Sequence, residues 1–386
     1  MHPLDLIDIE DMLDEEERAI RDVTRGIVDD IVRPKVAMWW EEGDVPAREL
    51  MAAFGEAGLL GMHLDGYGCA GTTATTYGLA AMELEAGDSG IRSMVSVQGS
   101  LAMYAIHRFG SPEQRERWLP DMARGTVIGC FGLTEADAGS NPASMRTHAR
   151  KDGSDWLLSG SKMWITNGSV ADIAIVWART GHGVRGFIVP TDSPGFQANV
   201  IHHKVSLRAS VTSELVFDDV RLPEDALLPE ATSLGAPLRC LNEARFGIAF
   251  GTMGAARECL ETALAYAAER EQFDKPIAGF QLTQRKLVDM SVELSKGMLL
   301  ALRLGRLKDA GKITPEQVSA GKLNNAREAL AIARECRAIL GGSGITLEYP
   351  VIRHMNNLES VFTYEGTNEM HTLVIGAALT GIQAFR

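Results

Sequence analysis

The sequence predicts an α+β chain in three parts: an N-terminal helical domain, a small middle β-barrel or sandwich, and a C-terminal four-helix bundle. Three observations carry this reading. Apolar residues recur at helical spacing through residues 1–128, short β-type runs separated by turn residues fill 129–230, and longer helical stripes occupy 231–386. With 386 residues, 45% apolar and 23% charged, the chain has ordinary globular composition and can bury a large core.

From Asp14 to Arg33, Ile20, Val23, Ile27 and Ile31 fall on one helical face, and Pro34 stops the helix. Pro46 opens a second helix that runs to Leu60. The glycine-rich stretch Gly66–Gly71 follows no β-branched or alternating run, so it reads as a connection rather than a dinucleotide-binding turn. Thr72–Ala86 and Ser96–Phe109 continue as helices, and Ser111-Pro112-Glu113-Gln114 starts another.

Near Thr126 the character changes. Val127–Phe131, Trp156–Leu158, Ala174–Trp177, Gly186–Val189 and Glu214–Phe217 are short runs bounded by turn residues, the pattern of a compact antiparallel barrel or sandwich ending near Pro229. Two of its segments, Phe131–Ser140 and Trp164–Gly168, read as loops. Each mixes apolar or aromatic residues with Thr, Ser and Gly donors, which suits a flat ring with a polar edge as well as an ordinary turn.

The chain becomes helical again from Arg245, with Met253, Ala256, Leu260 and Ala263 on one face. Leu287, Met290, Leu294 and Met298 mark the next helix. Thr314-Pro315-Glu316-Gln317 is a capping box opening a helix that runs to Leu340, where Gly341-Gly342 ends it. A last helix from about Glu369 completes four antiparallel helices.

A formal net charge of −13 without a Lys/Arg block lacks the footprint of a nucleic-acid or anionic-membrane partner. Five cysteines without paired spacing fit reduced thiols in a cytoplasmic chain, and the acidic stretch Met1–Glu17 has no signal-peptide core. The run Thr363-Tyr364-Glu365-Gly366-Thr367 sets a carboxylate between an aromatic residue and a glycine. It reads equally as a general base or as the start of the last helix.

The ordered phrases FGLTEADAGS, KMWITNG, EREQFDKPIAGFQ, AILGGSG and TYEGTNEM together resemble the acyl-CoA dehydrogenase family over the whole chain. Asp88–Ser93, Asn242–Ala249 and Thr380–Phe385 look most like the branch that acts on glutaryl-CoA. The resemblance implies an FAD enzyme that oxidises the Cα–Cβ bond of an acyl-CoA. It also implies a homotetramer and an electron-transferring flavoprotein as acceptor. Glu365 matches the family's catalytic base. The flavin is expected against Phe131, Leu133, Thr134, Gly139, Ser140, Trp164, Ile165 and Thr166. A neighbouring subunit's Arg270, Gln272, Phe273, Phe280, Gln281, Gly341 and Gly342 are expected at the adenine end, with Thr367 and Phe385 completing the set. Ala338 stands where many members carry a glutamine. Ser140, Asn242, Arg245 and Gly366 are expected along the thioester path, and Arg92, with Ser93 and Glu85, is expected to meet a carboxylate at the far end of the acyl chain. That selects a dicarboxylic thioester and implies loss of carbon dioxide to give crotonyl-CoA; a monocarboxylic short-chain enzyme and an enzyme that does not decarboxylate stay open.

Overall fold

The computed structural model describes residues 4–384, so Phe385 lies outside the described residues. The helical unit holds α1 (Glu15–Ile27), α2 (Val36–Glu42), α3 (Ala47–Glu56), α4 (Ala74–Gly87), α5 (Ser89–Ser96), α6 (Tyr104–Phe109) and α7 (Pro112–Ala123). Asp14 and Ser111 both close capping boxes, each accepting from the third helical N–H while that residue's side chain returns the bond. Two stretches are π-helical, Val28–Val32 after α1 and Val97–Met103 between α5 and α6. The helix expected from Ser96 therefore starts earlier, at Ser89, because Asp88 caps it through the Gly90 N–H. α2 was not legible: Pro34 reads as a stop, and the helix has only seven residues before Gly43.

The middle unit is one curled seven-stranded sheet of β1 (Gly129–Gly132), β2 (His148–Asp152), β3 (Asp155–Thr166), β4 (Ile173–Thr180), β5 (Gly183–Pro190), β6 (Phe196–Val200) and β7 (Thr212–Leu222). The expectation of purely antiparallel pairing is corrected at one side: β1 runs parallel to β4, Gly129 opposite Ile173, and β2 touches β4 in parallel at His148. Both contacts join strands far apart in sequence, which local turn signals do not report. A second correction concerns Trp164–Thr166, which is the end of β3 rather than a loop. A register shift between Lys162 and Ile165 and a left-handed φ of +64° turn Trp164 outward.

The C-terminal unit comprises α8 (Gly235–Glu269), a short hairpin of β8 (Glu271–Gln272) and β9 (Lys275–Pro276), then α9 (Gln281–Asp309), α10 (Pro315–Ile339), α11 (Val351–Thr363) and α12 (Asn368–Thr380). α8 begins ten residues before the expected Arg245, so Asn242 and Arg245 share its face. α11 was missed, being a short amphipathic segment between the glycines that end α10 and the Tyr364–Thr367 loop.

α4 is buried along its whole length, because α8 and α9 cover it on one side and α1 on another. Glycines let α8 approach: a Cβ at Gly254 would sit 1.8 Å from the Met82 carbonyl oxygen, and one at Gly251 would sit 2.1 Å from Glu85 Oε2. One apolar core runs from the N-terminal helices through α8 to α10, and a smaller core lies within the sheet. Among the described residues no helix is long and apolar enough to cross a membrane.

Candidate active site

The loop between α11 and α12 holds two successive left-handed residues, Glu365 at φ +51° and Gly366 at φ +97°. Glycine adopts that conformation freely, but a glutamate does so at a cost of about 1–2 kcal/mol, so surrounding contacts must hold it. Arg245 Nε donates to the Glu365 carbonyl at 2.6 Å, and its other arm reaches Asn242 Oδ1 at 3.1 Å. From α10, Lys322 Nζ donates to the carbonyls of Phe362 at 3.1 Å and Gly366 at 2.9 Å. Thr367 caps α12 through the Met370 N–H.

The Glu365 carboxylate is thereby aimed inward. Its Oε2 is shielded from solvent and has no hydrogen-bond partner, and the Glu365 N–H donates to none of the described residues. Burial pushes this carboxyl above the ordinary glutamate range, against the pull of Arg92, Arg245 and Lys322.

Beside it lies a buried polar cluster. Arg92, 1% exposed, donates through Nε to Glu85 Oε2 at 2.7 Å and through one terminal nitrogen to the Tyr364 hydroxyl, the residue preceding the base. The remaining arm, Nη1, is buried and unpartnered, as is Glu85 Oε1. Ser93 is buried on the same helix, and the Ser96 hydroxyl is another shielded group without a partner. Tyr77 and Ser100 close one side with a bond of 2.7 Å. Asp88 fixes the arrangement: it caps α5, which carries Arg92, and accepts from Arg353 and Asn357 of α11, whose end carries Tyr364 and Glu365.

The two β segments expected to hold a ring do come together. Met163 N donates to the Thr134 carbonyl at 2.8 Å, and the fully buried Lys162 reaches both Leu133 O, at 3.0 Å, and Glu135, at 2.8 Å. The residues divide by exposure. Phe131, Leu133 and Ile165 are core, with Phe131 packed on Trp177 at 5.9 Å between centroids. Trp164 is 61% exposed, and the hydroxyls of Thr134, Ser140 and Thr166 have no partner among the described residues. A Cβ on Gly139 would meet nothing within 4 Å, so that turn is open.

Arg270, Gln272, Phe273, Phe280, Gln281, Gly341 and Gly342 cluster elsewhere, on and around the β8–β9 hairpin and the end of α10. Phe273 is 88% exposed and meets Phe280 edge-on at 6.3 Å. No hydrogen bond, ion pair or ring contact joins this group to the Trp164 segment within the described residues. Ala338 lines the same shallow groove as Phe273 and Phe280.

Sequence reasoning missed Lys322, Tyr77 and Ser100 as parts of this arrangement, and it read Tyr364 as the aromatic neighbour of the base without its bond to Arg92. Lys322 left a signal, a lone cation in the apolar stripe Val318, Ala326, Ala329 and Ala333 of α10. Glu85, expected toward a ligand, spends one oxygen on Arg92.

The N-terminal, middle and C-terminal acyl-CoA dehydrogenase domain models match residues 14–126, 130–220 and 234–380. A glutaryl-CoA dehydrogenase structure from Mycobacterium smegmatis is 70% identical, with a TM-score of 0.98 over 99% of both chains. A second from that organism, in complex with FADH2, is 66% identical with a TM-score of 0.98, covering 100% of this chain and 99% of that one. The short-chain specific acyl-CoA dehydrogenase of Bos taurus mitochondria is 34% identical over 374 residues, 95% of this chain and 90% of that protein. With three matched domains in order and relatives aligned over nearly the full length, the chain belongs to the acyl-CoA dehydrogenase family, a family of oxidoreductases.

Proposed function

We propose that this enzyme oxidises glutaryl-CoA and decarboxylates the product to crotonyl-CoA, with FAD as cofactor. The observation that carries the substrate is Arg92: a fully buried guanidinium beside the base, with one arm on Glu85, one on Tyr364 and Nη1 left without a partner. An unpaired buried donor is costly unless a ligand meets it, and a carboxylate is the group its fork geometry suits. An apolar acyl chain would leave it unmet.

FAD fits the residues present: the exposed Trp164 indole, the open turn at Gly139 and the hydroxyls of Thr134, Ser140 and Thr166, unpartnered among the described residues, offer an aromatic face and polar groups on two segments joined at Met163 and Thr134. When bound, FAD supplies the acceptor for the hydride that leaves the β carbon. The chain's own residues do the rest. Glu365 takes the α proton; the enolate charge that develops on the thioester oxygen is met by the Glu365 N–H, which has no acceptor among the described residues. Arg92 holds the distal carboxylate and so sets which carbons face Glu365. In glutaconyl-CoA the bond from Cγ to the carboxyl then breaks, its electron pair passes into the dienolate, carbon dioxide leaves, and Glu365 returns its proton to Cγ to give crotonyl-CoA. The exposed Arg270–Gln281 group, distant from the Trp164 segment in one chain, supports a homotetramer in which a neighbour completes the cofactor site, Gly341 and Gly342 included. An electron-transferring flavoprotein is the proposed acceptor, and the chain divides into domains at 1–128, 129–230 and 231–386.

Anaerobic mixing with glutaryl-CoA, followed by flavin absorbance and product mass after an acceptor is added, tests this. Bleaching with crotonyl-CoA and carbon dioxide supports the full reading, whereas glutaconyl-CoA alone removes the decarboxylation. Arg92→Met is expected to lower kcat/KM for glutaryl-CoA by roughly 10²-fold or more while changing butyryl-CoA turnover far less, since losing a buried charge partner costs about 3 kcal/mol. Equal losses on both thioesters would sink the substrate assignment.

A further inference from the structure

Lys322 is a lysine with no exposed surface, inside a helix, whose ammonium touches only backbone. Its two acceptors flank the base: Phe362 O, one of the last-turn carbonyls that α11 leaves without an intrahelical partner, and Gly366 O, immediately after Glu365. Arg245 takes the carbonyl between them. Three carbonyls around the base, those of Phe362, Glu365 and Gly366, are thus held from two different helices, α10 and α8. The strain at Glu365, a left-handed residue with a side chain, explains the need, and Gly366 beside it leaves no room for a Cβ, which would lie 2.9 Å from His371 Nε2.

We propose that Lys322 is a positioning residue of the reaction: its bonds to the Phe362 and Gly366 carbonyls fix the Glu365 peptide so that its N–H stays free for the thioester oxygen and its carboxylate faces the α carbon. This rests on the reading of Glu365 as the base. The charge matters as well as the bonds. Facing the ammonium are Glu365 in the loop, Arg245 on α8, Arg92 on α5, and Glu369 and His371 on α12; the three cations together oppose the burial that raises the Glu365 carboxyl. Burial brings Lys322 itself down to about 7. The neutral amine keeps two N–H donors for its two carbonyls, so the loop geometry outlasts the charge as pH rises.

The test compares the holoenzyme with Lys322→Met, Lys322→Arg and Glu365→Gln, measuring kcat per bound flavin, KM for glutaryl-CoA and the pH dependence of kcat/KM. Lys322→Met should lose about a hundredfold in kcat, the effect of misplacing one preorganised donor, with KM within about threefold. Its acid limb should move to higher pH, because one cation no longer favours the Glu365 carboxylate. Lys322→Arg, which keeps charge and donors but shifts them by about an ångström, should lie between the two in kcat with an unmoved acid limb. Parental kcat per flavin in Lys322→Met, or a loss of flavin content and thermal stability alone, overturns the proposal. If Lys322→Met does not fold, Lys322→Arg decides: parental kcat there overturns it. Activity surviving in Glu365→Gln would instead overturn the base assignment, which separates the two failures.

Discussion

Glu365 carries its charge into surroundings that resist it. Because burial raises its carboxyl above the ordinary value near 4.5, the folded state holds this proton over a pH window in which the unfolded chain has released it. The sign follows: the buried charge costs stability as pH rises through that window. Glu365→Gln should therefore gain thermal stability over the parent, little at pH 4.5 and increasingly toward neutral pH. A Tm difference that stays constant or shrinks over that range would contradict it. With Glu365 as the proposed base, only the ionised carboxylate accepts a proton, so turnover is expected to fall on the acid side of the raised value. Glu365 and Arg92 were legible in the sequence because they sit in short ordered motifs. Lys322 was not: its partners are carbonyls 40 and 44 positions away, and a carbonyl leaves no trace in residue identity.

The packing of α4 against α8 sets the height of the site's floor, because Glu85 on α4 must reach Arg92 on α5 without displacing α8. Gly251 and Gly254 make that approach possible. Gly254→Ala places a methyl carbon 1.8 Å from the Met82 carbonyl, which cannot fold aside, so the helices must separate. A loss of about 1–3 kcal/mol in denaturant unfolding is expected, together with weaker glutaryl-CoA turnover. An unchanged midpoint would show that α8 shifts freely. α10, with its capping box and apolar stripe, was legible end to end, and α7 was legible at its capped start. α11 was obscured between glycines, and the start of α5 depended on an Asp88 cap whose tie to α11 is tertiary. The β3 end shows the opposite failure, since a bulge with a left-handed tryptophan reads locally as a turn.

The single chain exposes Phe273, Leu282, Val288 and Val292 on the β8–β9 hairpin and α9, apolar side chains that suit a contact between subunits. Phe273→Ser is expected to shift the protein toward smaller species in analytical ultracentrifugation and to lower flavin occupancy in parallel. A monodisperse tetramer with full flavin would separate that surface from cofactor binding. The order of helical, β and helical parts was legible because each has its own hydrophobic period. Which strands pair in parallel was not, since β1 and β4 meet across 40 intervening residues.

Gln98, wholly buried in the π-helical turn before α6, has consequences for how the chain comes apart. Its amide donates to the carbonyls of Met122 and Val127 and accepts from the Gly129 N–H, where the sheet begins. The Gly129 N–H belongs to the sheet and the other two partners to the helical unit, so pulling the sheet from the helices breaks that bond and opens the buried amide. The seam between the first two units is therefore tied by a buried hydrogen bond as well as by a shared apolar core, and the helices and the sheet are expected to melt together. A fragment cut there is a poor building block for a chimera.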